Sequence, residues 1–325
     1  MRRFLLLSAL CVLPAVAVDP AEQIKTMTRG VNIIGYHPLW RDFSKARFQE
    51  RHFQRIHDAG FQSVRIVLQA MSDMNAENRL DPTWFKTLDW AVAQATANGL
   101  TAILEHDYNV CGQNADGCKP KLMAFWEQVA EHFMDAPNTV LFEILNEPNT
   151  QVTPEVWNAW VSEALGIVRK TNPERNVIVG PASWNNVKFL DRLELPADDR
   201  QIIVTVHYYL PMNFTHQGAR WVKSAAGLHG ITWGTNEEKR KVETDFAGVQ
   251  EWAKTQKRPI LLGEFGAYDR GGADMESRVK YTSHVARTAE ALGWAGAYWQ
   301  FDGDFIAYDM AKNEWVEPIR KALIP

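Results

Sequence analysis

The sequence predicts one closed (β/α)8 barrel of the TIM type, and three observations predict it. Eight short apolar runs alternate with helical segments, the pattern of a parallel sheet buried beneath its crossover helices. Polar or aromatic residues recur within or at the ends of successive runs, namely Arg65, His106, Asn146 with Glu147, His207 with Tyr209, Glu264, and Trp299. An open doubly wound sheet, the alternative, collects such residues only at its switch point, whereas a barrel brings all of them to one mouth. Finally, the 325 residues contain no internal repeat, no Pro/Ser/Thr-rich linker and no appended module. Barrels of this kind commonly run to about 250 residues or more as a single unit.

The elements follow in order. Met1-Arg2-Arg3, the apolar run 4–13 and the small residues Ala15 and Ala17 read as a secretory leader over residues 1–17, which leaves 18–325 as the barrel and implies a secreted or periplasmic protein. The apolar run is too short to span a bilayer, and no later stretch reaches the roughly 18 apolar residues needed, so no membrane partner is expected. Cys11 lies inside that run after Leu10, not behind the small residue of a lipoprotein leader. Strands are expected at 30–35, 63–68, 101–106, 140–146, 176–180, 202–207, 259–265 and 296–301. Helices are expected at 48–59, 82–97, 122–134, 154–170, 237–254 and 276–292, with a short one starting near 316. Gly60 and Asn98-Gly99 stop the first two helices. A long loop, 208–235, holds Trp221 and Trp233.

The fourth strand stops at Asn146-Glu147-Pro148 and the seventh closes on Glu264, so two carboxylates stand at the carboxyl edge of the sheet, where such folds place their chemistry. Paired carboxylates suit glycosidic cleavage, in which one protonated group assists the leaving oxygen and one ionised group attacks or stabilises the anomeric carbon. Glu147 has no adjacent cation in sequence and is the expected acid/base, whereas Glu264 could take hydrogen bonds from Tyr209 and Arg65, which would keep it ionised as nucleophile. Glu143 lies deeper on the fourth strand and is expected to pair with a cation inside the barrel. At a net charge of −4 nothing basic invites nucleic acid, and 13 Trp supply flat apolar rings for cores and for stacking on sugar faces. Cys111 and Cys118 form an isolated pair that suits a loop-clipping disulfide better than a metal site, with two free thiols as the alternative. Asp302 and Asp304 lack metal-ligand spacing, and neither metal nor cofactor is expected.

The set Val-Arg-Ile at 64–66, His106, Asn-Glu-Pro at 146–148, His-Tyr-Tyr at 207–209, Gly-Glu-Phe at 263–265 and Trp299 resembles glycoside hydrolase family 5, the cellulase family, over nearly the whole chain after the leader. The resemblance implies a retaining β-glycanase with Glu147 as acid/base and Glu264 as nucleophile. It further implies that Asn146 meets the sugar 2-hydroxyl, that Arg65 and Tyr209 support the nucleophile, and that His106 and His207 line the cleavage subsite. Trp299 would be a sugar platform, and Trp184, His37 and Trp40 additional sugar contacts. The expected partner is a β-glucan polysaccharide or oligosaccharide, cleaved internally by a monomer; a β-mannanase or xyloglucanase is the nearest alternative. A carbohydrate-binding barrel without turnover is the alternative of another class. A Schiff-base enzyme is disfavoured because no strand ends on Lys.

Overall fold

The computed structural model describes residues 17–325 apart from Tyr36, Ser72, Asp73, Asp107 and Tyr108, so the expected leader lies outside the described residues except for Ala17. Eight strands form a closed parallel barrel: β1 (Arg29–Ile33), β2 (Ser63–Leu68), β3 (Thr101–His106), β4 (Val140–Glu143), β5 (Val177–Val179), β6 (Ile202–Tyr208), β7 (Ile260–Phe265) and β8 (Ala295–Tyr298). Each pairs with the next, and β8 returns to β1 through Arg29 opposite Gly296. Branched apolar residues dominate the strands because both faces are buried, one against the helices and one inside the barrel.

Several boundaries differ from expectation, for local reasons. β1 ends at Ile33 because Ile34 turns left-handed (φ 63°), and β4 ends at Glu143, although Asn146 N–H still bonds the His106 carbonyl at 2.8 Å. The helix expected at 122–134 spans Ala115–His132, because Asn114 caps it by accepting from Gly117 N–H at 3.1 Å and the fold tolerates Pro120 inside it. Cys118 therefore lies in a helix and not in the loop; it is joined by a disulfide to Cys111, their Cα atoms 5.1 Å apart. The long loop after β6 contains one helical turn, Met212–Thr215. No described helix is long and apolar enough to cross a membrane.

The barrel interior is layered, because alternate residues of each strand point inward. At the amino-terminal end Ile103, Leu141, Ile178, Ile203, Leu261 and Ala295 form a separate apolar cluster, closed from below by Ile24 and Met27. Ile24 belongs to a short helix, Pro20–Lys25, whose N-cap Asp19 accepts from Ala21 and Glu22 N–H. One inward step up, Asn32, Arg65, Glu105 and Glu143 are fully buried, and the next step reaches the mouth at His207 and Glu264.

Candidate active site

Arg65 is the hub beneath the mouth. A guanidinium has five N–H bonds, and here all five have acceptors. Nε and Nη2 grip Glu143 as a fork at 2.7 Å each, Nη2 also donates to Asn146 Oδ1 at 2.8 Å, and Nη1 donates to Asn32 Oδ1 at 2.8 Å and Glu264 Oε1 at 2.9 Å. Thus Glu143 does pair with a cation inside the barrel. The saturated fork also fixes where Asn146 and Glu264 stand.

Glu264, on β7, accepts a second hydrogen bond at Oε2 from the Tyr209 hydroxyl at 2.9 Å. Glu147 follows β4 with a left-handed backbone (φ 46°), and its Oε1 lies 2.8 Å from His207 Nδ1. One oxygen of each glutamate and a ring nitrogen of His207 lie within 4.8 Å of one another. Burial lifts both carboxyls, Glu147 to about 7. On Glu264 the lift is opposed by the Arg65 charge, bonded to it directly, and by the Tyr209 bond, so the proton that such a pair shares falls to Glu147. Burial also drops His207 to about 4, which leaves its ring neutral.

These groups open into a groove lined also by Asn146, Trp184, Tyr209, Trp221, Trp299 and Phe305. Trp184 and Trp221 are about half exposed, at 51% and 57%. Of the two loop tryptophans, Trp221 faces the groove while Trp233 is buried against Tyr281. Trp299 is packed against Val67 and Phe305.

Three expected contacts fall elsewhere. The turn Pro38–Trp40 lays Trp40 into the outer core, where its ring stacks on Trp84 at 5.5 Å and its Nε1–H bonds the Val67 carbonyl. His37 is buried beside it, accepting from Phe48 N–H at 3.3 Å. His106 is fully buried with its ring edge-on to Phe125 at 4.2 Å, and burial drops it to about 3. None of the three lines the described groove. Conversely, sequence reasoning passed over Asn32, which an isolated amide in an apolar strand could have signalled, and Asn185 and Phe305, which carry no such local sign. Glu147, His207 and Glu264 are close enough to hold a metal ion, yet both oxygens of Glu264 are already engaged by Arg65 and Tyr209, so the donor set is a hydrogen-bonded pair and not an open ligand shell. Asp302 pairs with Arg47 at 3.4 Å and Asp304 accepts from Gln300 at 2.6 Å.

Fold and site together define a class, the (β/α)8 barrels that carry two neighbouring glutamates at the carboxyl-terminal mouth, on which two-carboxylate glycosidases are built. The sequence model for Cellulase (glycosyl hydrolase family 5) matches residues 24–304. The chain belongs to that family. Endoglucanase H of Acetivibrio thermocellus is 31% identical over 323 residues, covering 94% of this chain and 34% of that protein. Endoglucanase 3 of Fibrobacter succinogenes is 25% identical over 93% of this chain and 53% of its own length. The chain therefore spans about a third to a half of the length of these curated relatives. Among solved structures, endoglucanase Cel5A of Thermotoga maritima is 36% identical with a TM-score of 0.89, covering 94% of this chain and all of that one. That protein has been determined with cellobiose and with mannotriose.

Proposed function

We propose that this protein is a retaining endo-β-1,4-glucanase acting on cellulose-like or mixed-linkage β-glucan, with Glu147 as acid/base and Glu264 as nucleophile. The observation that carries the reading is the asymmetric wiring of the pair, with Glu264 held by a buried cation and a phenol and Glu147 left as the proton carrier. In the first step Glu264 attacks the anomeric carbon while Glu147 gives its proton to the departing glycosidic oxygen. In the second, ionised Glu147 takes a proton from water, whose oxygen attacks the same carbon and frees Glu264. One glycosidic bond and one water are consumed, and the configuration is retained. The donor atoms within 4.8 Å suit this course, since retaining pairs stand about 5–5.5 Å apart and inverting pairs about 6.5–9.5 Å.

Asn146 spends its oxygen on Arg65, which leaves its amide hydrogens for the sugar 2-hydroxyl. Trp299 is the platform at the cleavage point, and Trp184 and Trp221 continue the apolar footing along an open groove suited to internal cleavage of a chain. A leader over residues 1–17, as the sequence suggests, would carry the enzyme outside the cytoplasm, where polymeric glucan is met, and a site complete within one chain suits a monomer. A mannan-accepting variant of the same mechanism is the second reading, favoured by the mannotriose complex of the Thermotoga relative.

The test is a time course on carboxymethylcellulose, barley mixed-linkage glucan, glucomannan, galactomannan and xyloglucan, with NMR of the first product anomer and Glu264→Gln as control. Early mixed oligosaccharides of β configuration from the first two, at least about a thousandfold slower in the variant, are expected. Cleavage confined to mannans would replace the substrate, α-anomers would overturn the mechanism, and silence on every polymer would leave a binding barrel.

A further inference from the structure

Asn185 is fully buried, and its side chain reaches His207 from the side opposite Glu147. Its Nδ2 lies 3.2 Å from His207 Nε2, while His207 Nδ1 lies 2.8 Å from Glu147 Oε1. From this geometry we infer that Asn185 is a positioning residue which fixes the tautomer of His207 and thereby aims a hydrogen at Glu147; the inference rests on the acid/base role proposed for Glu147. A neutral imidazole carries one N–H. A ring nitrogen that accepts from an amide N–H holds no hydrogen, so the hydrogen sits on Nδ1 and is donated to the carboxylate.

The backbone holds Asn185 in place independently of the side-chain contact. Ser183, Trp184 and Asn185 are three successive left-handed residues with φ of 63°, 62° and 50°, and none is glycine. Ser183 and Trp184 each cost about 1–2 kcal/mol in this region and asparagine less, strain that persists only where the surroundings over-determine it. Two hooks hold the run: Trp184 N–H bonds the carbonyl of Pro148, next to Glu147, at 3.2 Å, and Asn186 bridges the backbone of His207. Two glycines clear the space. A Cβ on Gly180 would meet Asn185 Oδ1 at 2.3 Å, and one on Gly263 would stand 3.1 Å from His207 Nε2. The result is a closed circuit from Glu147 through Pro148, the strained turn, Asn185 and His207 back to Glu147.

The circuit favours one half of the reaction. Glu147 leaves the first step ionised, and Nδ1–H then stabilises it at Oε1 while Oε2 takes the proton of the attacking water. With the opposite tautomer, a nitrogen lone pair would face the carboxylate. The other charged groups around His207 are Glu264, at 3.6 Å, and beyond it Arg65 and Glu143, and these are the same in both tautomers.

Two measurements decide the point. Side-chain ¹⁵N NMR of the wild-type protein, with His207 assigned by difference from His207→Gln, is expected to show a protonated Nδ1 and a bare Nε2; a protonated Nε2 overturns the inference whatever the enzyme does. Kinetics of Asn185→Leu, which keeps the volume and removes the donor, use 2,4-dinitrophenyl β-cellobioside, whose leaving group needs no proton. A fall in kcat of about ten- to a hundredfold is expected, with KM falling in step, glycosyl-enzyme accumulating by intact mass, and azide, which needs no base, restoring the rate. Equal losses in kcat and kcat/KM without azide rescue would make Asn185 a packing residue. A wild-type protein that cleaves no glycoside would sink the proposed function instead, with the NMR result still standing.

Discussion

Arg65 shows what a single residue does here: it converts three acidic side chains that could not otherwise be buried together into a scaffold for the mouth. Glu143 is fully buried and held by the fork, Glu105 lies 4.0 Å from Nη1, and Glu264 takes the remaining charge-assisted bond. Removing the cation strands those carboxylates in a dry interior, so Arg65→Met is expected to destabilise by about 3–5 kcal/mol, or to prevent folding, in urea unfolding followed by tryptophan fluorescence. A loss below about 1 kcal/mol would mean that water reaches this layer. The Arg65, Tyr209 and Glu264 set was legible in the sequence because an arginine inside an apolar strand needs an acid and a strand end needs a use. His37 and Trp40 were not, since a residue just past a strand can turn to the groove or to the helices, and only the fold decides.

At the scale of elements, the barrel separates a sealed floor from a working mouth. Ile24 is 2% exposed and Met27 fully buried, both packed on the lowest inward layer of the strands. The helix that carries Ile24 spans only Pro20–Lys25, too short to be stable alone, so its docking is what keeps it. Ile24→Asp is expected to lower stability by about 2–4 kcal/mol in chemical denaturation while leaving kcat at moderate temperature unchanged, because the change lies at the end opposite the glutamates. A changed kcat with unchanged stability would show that the two ends communicate. Strand order and position were readable because apolar runs and terminal carboxylates repeat at a steady spacing. The floor helix was too short to give a periodic signal. The start of the helix Ala115–His132 was hidden because Gly117 and Pro120 read as breakers, and the left-handed run at 183–185 because non-glycine residues give no local hint of positive φ; tertiary contacts impose it.

For the whole molecule, the mouth is a place where the fold gives up stability for chemistry, and pH exposes the exchange. Glu147 has its pKa raised from 4.5 to about 7, chiefly by burial, so the folded state binds its proton more tightly than the unfolded chain does. The sign follows: this stabilisation is fully present below about pH 4.5 and is lost as pH rises through 7, a change of about 3 kcal/mol at most. Glu264 is shifted in the same direction, so it does not cancel the effect. Glu147→Gln, which keeps the shape and cannot ionise, is therefore expected to melt about 4–8 °C higher than wild type at pH 8 and at the same temperature at pH 4.5, while its turnover collapses. The same ionisation should end activity, so kcat/KM of the wild type on a cello-oligosaccharide should fall about tenfold per unit above pH 7. Melting curves and rate profiles that turn over at one common pH would tie both to the Glu147 proton. If the two curves break at pH values more than a unit apart, or if Glu147→Gln melts lower than wild type at pH 8, the carboxyl that governs stability is a different one, and the proton carrier must be sought elsewhere in the groove.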